Sequence, residues 1–333
     1  MMMKNRAMTM SKRNNSLKEI ADVLWNAESV LLYPHVNMDG DCLGSAVALC
    51  AALRKIGKEA YVLIEDEIAA FLRFMEKDYC TEELQIIKEP DVCICIDCGE
   101  PERFKYRKDK FFQGKTTICI DHHLTTEPFA DLNYIDPKAA ATGEIIYELL
   151  NGMRIVIDKE IGEALYAAIA TDTGNFQYSN TTKNTHEIVA GLFDCGIDHN
   201  KVSIQLYQNI RAEKILLQNR TLQTLKLFAQ GQAAICCTTK AMLEETGGKM
   251  EETEGFIEVL RSISGVEVAV FVKEVTDTTS KISMRSKEKV NVAEISKEFH
   301  GGGHMRAAGC TLNMGTSEAM ETMIDTIERF LKG

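Results

Sequence analysis

The chain has 333 residues, 45% hydrophobic and 26% charged, with a formal net charge of −11. That length accommodates two domains of ordinary size, and the composition is that of a globular protein. The acidic balance argues against a grip on long nucleic acid, which depends on neutralising many phosphates, but leaves room for a short nucleotide in a local positive pocket.

Residues 1–15 are polar and rich in methionine, without the apolar core of a signal peptide, and are expected to form a disordered leader. A helix is predicted over residues 16–26 and a short apolar strand over 29–33. The strand runs into a polar loop, Pro34 to Asp41. Alanine and leucine at helical spacing then predict a helix over 44–56, stopped before Gly57, and a strand over 60–64. A strand, loop, helix and strand in that order imply a parallel sheet. The pattern continues with strands over 92–96 and 116–120 and helices over 142–150, 161–171 and 185–195. A long stretch without glycine or proline, residues 213–228, is expected to be helical and to lead out of the first domain. Strands over 232–237, 266–275 and 281–286 follow, then a helix over 292–299. A glycine-rich loop over 300–309, a strand over 310–312 and a helix over 318–331 complete the chain.

The fold class expected is therefore α/β: an N-terminal doubly wound, mainly parallel sheet and a smaller α+β C-terminal domain, joined by a helical linker. The boundaries are 1–15 for the leader, 16–205 for the first domain, 206–230 for the linker and 231–333 for the second domain. No run approaches the ~18 apolar residues of a membrane span, so no membrane partner is expected. The eleven cysteines form no framework. Cys93, Cys95, Cys119, Cys236 and Cys237 sit in strand-like runs as small hydrophobes, and the pair Cys95 and Cys98 has no second pair to complete a zinc site. Unpaired thiols point to a reducing cytoplasm.

Chemistry collects in the first half. His35, Asp39 and Asp41 share one loop. Asp97, then Asp121 with His122 and His123, then Asp172 each follow an apolar segment. Adjacent strands lie about 4.8 Å apart, so such residues can converge at one end of a sheet. Five carboxylates gathered without compensation would repel. Two divalent cations remove the repulsion, and mixed carboxylate and imidazole ligands suit manganese or a similar ion. Two metals in one site clamp a phosphate during in-line displacement. In the C-terminal part, Gly301, Gly302 and Gly303 would let backbone N–H groups approach an anion. His304 adds a donor, and Arg285 can make a bidentate phosphate contact.

These motifs in order are His35-x-x-x-Asp39-Gly40-Asp41-x-x-Gly44-Ser45, Asp97, Asp121-His122-His123 and Thr171-Asp172-Thr173-Gly174. They resemble the four motifs of the DHH phosphoesterase superfamily. Gly301-Gly302-Gly303-His304 with Ala307-Ala308-Gly309 resembles the signature of the DHH-associated C-terminal domain. Met38 stands where many members have proline, at a position that is not a ligand. The match in length and domains is with the branch that degrades nanoRNA and dephosphorylates 3′-phosphoadenosine 5′-phosphate.

The resemblance implies a phosphoesterase using two Mn2+ per chain, with Mg2+ or Co2+ as substitutes. His35, Asp39 and Asp97 would hold one ion; Asp41, Asp97, His122 and Asp172 would hold the other. His123 would face the phosphate as a catalytic group, and Asp121 would orient the histidine ligand. Short oligoribonucleotides and nucleotides are the implied substrates, and a homodimer is among the assemblies open to the chain. Within the same superfamily a cyclic di-AMP or linear dinucleotide phosphodiesterase is the alternative. A non-catalytic nucleotide sensor is the alternative from another class.

Overall fold

The computed structural model describes residues 14–332, apart from the side chains of Lys105, His304 and Lys332, so residues 1–13 of the expected leader lie outside the described part. Two compact units meet in the chain between Asn209 and Ile210.

The first unit begins with α1 (Leu17–Asn26), opened by a reciprocal capping box between Ser16 and Glu19. Then come β1 (Ser29–Tyr33), α2 (Gly40–Lys55), β2 (Glu59–Leu63), β3 (Cys80–Thr81), β4 (Val92–Ile96), α3 (Lys108–Phe111), β5 (Thr116–Asp121) and β6 (Leu132–Ile135). Helices α4 (Thr142–Gly152), α5 (Lys159–Asp172), α6 (Lys183–Asp194) and α7 (His199–Tyr207) complete it. The six strands form one parallel sheet in the order β3-β2-β1-β4-β5-β6. The mainly parallel sheet expected from the sequence is thus observed. Along β1, β4 and β5 alternate side chains serve two layers. Val30, Leu32, Ile94, Ile96, Ile118 and Ile120 pack among residues of α1, α2, α4 and α5. Leu31, Tyr33, Cys93, Cys95 and Cys119 pack on the other face with Phe104, Phe111 and Phe129. All eleven cysteines are free, and most serve as core filler.

Helix α2 is buried from Gly40 to Leu53. A helix apolar all round needs cover on more than one side, and α5 supplies it opposite the sheet. Small residues permit the approach: a Cβ on Gly44 would lie 2.6 Å from the Ala164 carbonyl oxygen. Leu43, Leu49 and Leu53 are wholly buried in α2, each contributing about 1.5–3 kcal/mol by burial.

The second unit runs through α8 (Ala212–Leu222), β7 (Lys226–Phe228), β8 (Ala233–Thr238), α9 (Lys240–Thr246), α10 (Phe256–Ser262), β9 (Val268–Thr276), β10 (Thr279–Ser286), α11 (Val292–Lys297), β11 (Gly302–His304), β12 (Ala307–Leu312) and α12 (Thr316–Lys332). Its sheet has the order β11-β12-β10-β9-β8-β7, with β8 and β9 parallel and the other neighbours antiparallel. Helices α11 and α12 pack on one face, and α8, α9 and α10 on the other.

Three local expectations need correction. Residues 213–228 are not one helix: α8 ends at Leu222 and residues 226–228 form the edge strand β7. Leu217 of α8 is buried against β8 and β9, so this helix packs within the second unit and is not a free-standing linker. The glycine-rich stretch 300–309 is a hairpin, not an open loop, because β11 pairs with β12. The loop after β1 is shorter than expected, since α2 starts at Gly40 and takes in Asp41.

Candidate active site

Strand order reverses between β1 and β4, and open α/β sheets bind ligands outside the carboxyl ends of the strands at such a point. His35 follows β1, Asp97 follows β4, and β5 ends on Asp121 with His122 and His123 behind it. Helix α2 brings two more carboxylates. Asp39 is its N-cap, accepting from the Cys42 N–H at 3.0 Å, and Asp41 lies in its first turn. Asp172 is the last residue of α5.

These six metal candidates converge. His35 Nε2 lies 3.9 Å from Asp39 Oδ2 and 3.9 Å from Asp97 Oδ2. His122 Nε2 lies 3.7 Å from Asp41 Oδ2, 3.6 Å from Asp97 Oδ1 and 3.5 Å from Asp172 Oδ2. His123 Nδ1 is 3.6 Å from Asp97 Oδ1. Asp97 is 1% exposed and faces all three histidines. Its backbone has φ +53°, a left-handed conformation uncommon outside glycine. Its N–H nevertheless bonds to the Ile120 carbonyl at 2.9 Å, so the strained residue is pinned to the end of β5.

Several contacts explain the placement. Asp41 accepts from the Thr142 N–H at 2.7 Å, the Gly143 N–H at 2.9 Å and the Ser45 hydroxyl at 3.0 Å. It therefore caps α4, whose own N-cap residue, Ala141, has no side-chain acceptor. The Thr142 hydroxyl donates to Asp97 Oδ1 at 2.8 Å. Thr142 and Gly143 were missed as site residues because nothing in a helix start reveals that its partner lies a hundred residues earlier. Cys42 was missed too. Its sulfur accepts the His35 N–H at 3.2 Å and donates to the Ile96 carbonyl at 3.5 Å, tying the two motif loops together. Burial, then Asp97 and Asp39, push its thiol well up, so it stays protonated.

Asp121 holds a different histidine from the one expected. Its carboxylate accepts from His123 Nδ1 at 2.7 Å and from the Thr126 hydroxyl. It reaches His122 only through the backbone N–H, at 2.8 Å. The His122 ring is steered instead by the Ala139 carbonyl, 3.2 Å from Nδ1, and the His35 ring by the Val36 carbonyl, 2.8 Å from Nδ1. A carbonyl only accepts, so each Nδ1 donates, and Nε2 is the ring atom turned toward the carboxylates.

At 3.5–3.9 Å from the carboxylate oxygens, the two Nε2 atoms are too far for good hydrogen bonds. Asp97 Oδ2 is buried without any hydrogen-bond partner. Burial, and then the neighbouring carboxylates, raise both Asp41 and Asp97 well above the usual carboxylate range. The cluster thus gathers more carboxylate charge than its histidines offset. Three groups whose ligand atoms lie within 4.8 Å of one another fit divalent ions: Asp41, His122 and Asp172; Asp97, His122 and His123; and His35 and Asp97 with the Cys42 sulfur.

A buried ion pair supports the His35 loop from behind. Arg107, 2% exposed, meets Glu65 Oε2 at 2.7 Å, donates to the Pro34 carbonyl at 2.9 Å and also bonds to the Leu63 carbonyl. It therefore joins the ends of β1 and β2. Arg107→Ala is expected to cost about 3–5 kcal/mol in a urea melt, because Glu65 loses its partner in a dry setting. Bound metal is expected to fall with it as the His35 loop loosens.

In the second unit, Arg285 on β10 lies 3.5 Å from Glu258 through Nε and donates to the Met284 carbonyl at 3.1 Å. The glycines have packing reasons. A Cβ on Gly301 would collide with the Gly309 carbonyl and Ser296, and one on Gly303, at φ +139°, would lie 2.5 Å from the Ala307 carbonyl oxygen. At Gly302 a Cβ would meet nothing within 4 Å. The His304 side chain lies outside the described part of the structure. Arg306 is committed to the Val290 and Glu288 carbonyls.

Comparison with known proteins agrees with this reading. Residues 29–169 match the N-terminal domain model of the DHH family and residues 234–333 match the DHHA1 domain. A Thermus thermophilus protein named as a bifunctional oligoribonuclease and PAP phosphatase is 30% identical over 319 residues, 95% of this chain and 94% of that one. A Bacillus subtilis protein of the same name is 27% identical over 288 residues, 86% of this chain and 90% of that one. The crystal structure of an exopolyphosphatase-related protein from Bacteroides fragilis superposes with a TM-score of 0.88 at 26% identity, covering 94% and 96% of the two chains. A parallel sheet that gathers carboxylates and imidazoles at its switch point, with these relatives, defines a hydrolase acting on phosphoesters. The chain belongs to the DHH family. Its carboxylate and histidine cluster accords with use of divalent metal. Among the described residues no helix is long and apolar enough to cross a membrane.

Proposed function

We propose that this chain is a manganese-dependent, cytoplasmic phosphoesterase. It hydrolyses very short oligoribonucleotides to mononucleotides and removes the 3′-phosphate of 3′-phosphoadenosine 5′-phosphate. The observation that carries the reading is Asp97, buried among three histidines with one oxygen unsatisfied. The names of the Thermus and Bacillus relatives support the substrates.

In this reading His35, Asp39 and Asp97 hold one ion, and Asp41, Asp97, His122 and Asp172 hold the second. When bound, the pair supplies charge neutralisation for the phosphoryl oxygens and lowers the pKa of the attacking water. The chain's own groups do the rest. Asp41 is fixed by three donors and Asp97 by Thr142, so neither carboxylate reorients during turnover. Asp121 holds His123 protonated, its pKa raised to about 9 by that hydrogen bond first and by Asp97 next. A cationic imidazole beside the reacting phosphate stabilises its developing charge and can release a proton to the leaving oxygen. In the second unit, Arg285, Gly301, Gly302, Gly303 and His304 are the residues assigned to binding substrate phosphate.

The test is turnover on a panel with Mn2+: 3′-phosphoadenosine 5′-phosphate, a diribonucleotide, cyclic di-AMP, pyrophosphate and a long single strand. The first two are expected to be the best substrates. Preferred cleavage of cyclic di-AMP would replace this reading with the cyclic dinucleotide alternative. Bound metal with no turnover on any member would leave a nucleotide sensor.

Arg285→Ala tests the role of the second unit. Arg285 is not one of the proposed metal ligands, so Mn2+ binding should be unchanged. KM for the diribonucleotide should rise by roughly one to two decades, the worth of a charge-assisted bidentate contact. Hydrolysis of bis(p-nitrophenyl) phosphate, which has no second phosphate, should stay within about twofold. Equal loss on both would assign Arg285 a structural role.

A further inference from the structure

His122 follows β5 and Asp172 ends α5, and two side chains outside the metal cluster tie their supports together. The His122 ring is oriented by the Ala139 carbonyl, 3.2 Å from Nδ1. That carbonyl shares a peptide plane with the Ala140 N–H, and in a trans peptide the two point in opposite directions. Glu144, 2% exposed, accepts the Ala140 N–H through Oε2 at 3.1 Å. Its grip on one edge of the peptide thereby fixes the other edge on His122. The next peptide is held as well. Asn180 Nδ2 donates to the Ala140 carbonyl at 3.0 Å and to the Asp172 carbonyl at 3.1 Å. Both amide hydrogens are used, and the reverse orientation would set Oδ1 against two carbonyl oxygens, so the amide has one orientation. One side chain thus joins the segment behind His122 to the end of α5.

The arrangement is kept against local cost. Beyond Asp172 the chain passes through Gly174, Asn175 and Phe176 at φ +56°, +56° and +65°. A left-handed conformation is strained in a residue as large as phenylalanine and persists only where the surroundings impose it. Thr173 imposes it here. Its hydroxyl accepts the Phe176 N–H at 3.1 Å, and its carbonyl accepts the Gln177 and Tyr178 N–H groups, each at 3.0 Å. The turn sends the chain back, so that Asn180 reaches Asp172. Glu144 Oε1 and Asn180 Oδ1 are both buried without a hydrogen-bond partner among the described residues, a desolvation cost that apolar side chains would avoid.

We infer that Glu144 and Asn180 are positioning residues for the second metal set: they hold the His122 ring and the Asp172 backbone at the spacing where His122 Nε2 and Asp172 Oδ2 stand 3.5 Å apart. Groups that stand behind the ligands and never touch the ion commonly set metal affinity. This role rests on the metal assignment of the proposed function and is independent of the substrate.

The experiment strips the full chain of metal and titrates it with Mn2+ by calorimetry. The wild type should take up about two equivalents. Asn180→Asp keeps the shape but loses both donors, and Glu144→Ala loses the acceptor. Each should weaken one of the equivalents by roughly 10- to 100-fold. Glu144→Gln keeps an oxygen for the Ala140 N–H and should retain most of the affinity. Thr181→Val removes a buried hydroxyl that has no hydrogen-bond partner among the described residues; it controls for local repacking and should bind Mn2+ as the wild type does. At saturating Mn2+ the kcat of Asn180→Asp should recover, with KM for the diribonucleotide unchanged, because excess metal refills a weakened site. Wild-type Mn2+ affinity in both Asn180→Asp and Glu144→Ala, even with lower melting points in chelator, would assign the two residues a structural role and overturn the inference. A loss in Thr181→Val or Glu144→Gln as large as that in Glu144→Ala would overturn it too. Asn180-dependent Mn2+ binding in a protein that cleaves no oligoribonucleotide supports the positioning role and removes the proposed function. Oligoribonucleotide cleavage with Mn2+ affinity indifferent to Asn180 and Glu144 does the reverse.

Discussion

Asp97→Ala is expected to abolish phosphoester hydrolysis and to reduce bound Mn2+ to well under the about two equivalents of a dinuclear site. Charge stabilisation by the ions is worth several kcal/mol in the transition state, or about three decades in rate or more. Turnover within tenfold of the wild type would remove Asp97 from the reaction. Asp97→Asn is the sharper variant. Asparagine tolerates the left-handed backbone that residue 97 adopts, so the fold should survive. The amide removes a buried charge, and chelated Asp97→Asn should melt no lower than chelated wild type at neutral pH.

The pH dependence of that difference has a definite sign. Burial and the neighbouring carboxylates raise Asp97 and Asp41 in the fold, so the metal-free native state binds more protons than the unfolded chain. Stability from these groups therefore falls as pH rises from the unfolded carboxylate range, about 4, through the raised folded values. The advantage of Asp97→Asn over wild type should shrink as pH drops into that window and vanish below it. Adding Mn2+ should reverse the order at neutral pH, because in the proposed function only the wild type binds two ions. Melting curves across pH, with chelator and with Mn2+, check both signs.

His123→Ala is expected to keep bound metal near the wild-type level while kcat falls by about 10²–10³, the usual cost of removing one charge stabiliser. The structure gives the two adjacent histidines different surroundings. His122 Nε2 faces three carboxylates, whereas His123 hydrogen-bonds to Asp121 and is 37% exposed. Asp121→Asn should reproduce much of the His123 defect, since the amide lacks the negative charge that keeps the imidazole protonated. Loss of an equivalent of metal in His123→Ala would exchange the roles of the two histidines.

Much of this was legible in the residues. An apolar run ending in Asp121-His122-His123, a second ending at Asp97, and His35 with Asp39 and Asp41 behind a third are local signals. A strand that exits into metal-type side chains delivers them at the sheet's carboxyl end whatever else the chain does. The parallel architecture was equally readable, because strands separated by helices have few other ways to pair. The helix over 213–228 was misread for the opposite reason. A stretch without glycine or proline has no internal punctuation, and only the pairing of Lys226, Leu227 and Phe228 with β8 ends α8 where it does.

The sequence by itself determined the chemistry of the first unit: which side chains are present, in what order, and that each lies at the end of an apolar element. Those properties depend on neighbours a few positions away. The tertiary structure decided how the groups are held. Asp41 caps α4 from another helix, Thr142 binds Asp97, Asp121 takes His123 and not His122, and Lys273 is set against Lys281. Each of these depends on strand register or on the close approach of two helices. Such distances are set by packing between residues far apart in the chain, and no local pattern encodes them.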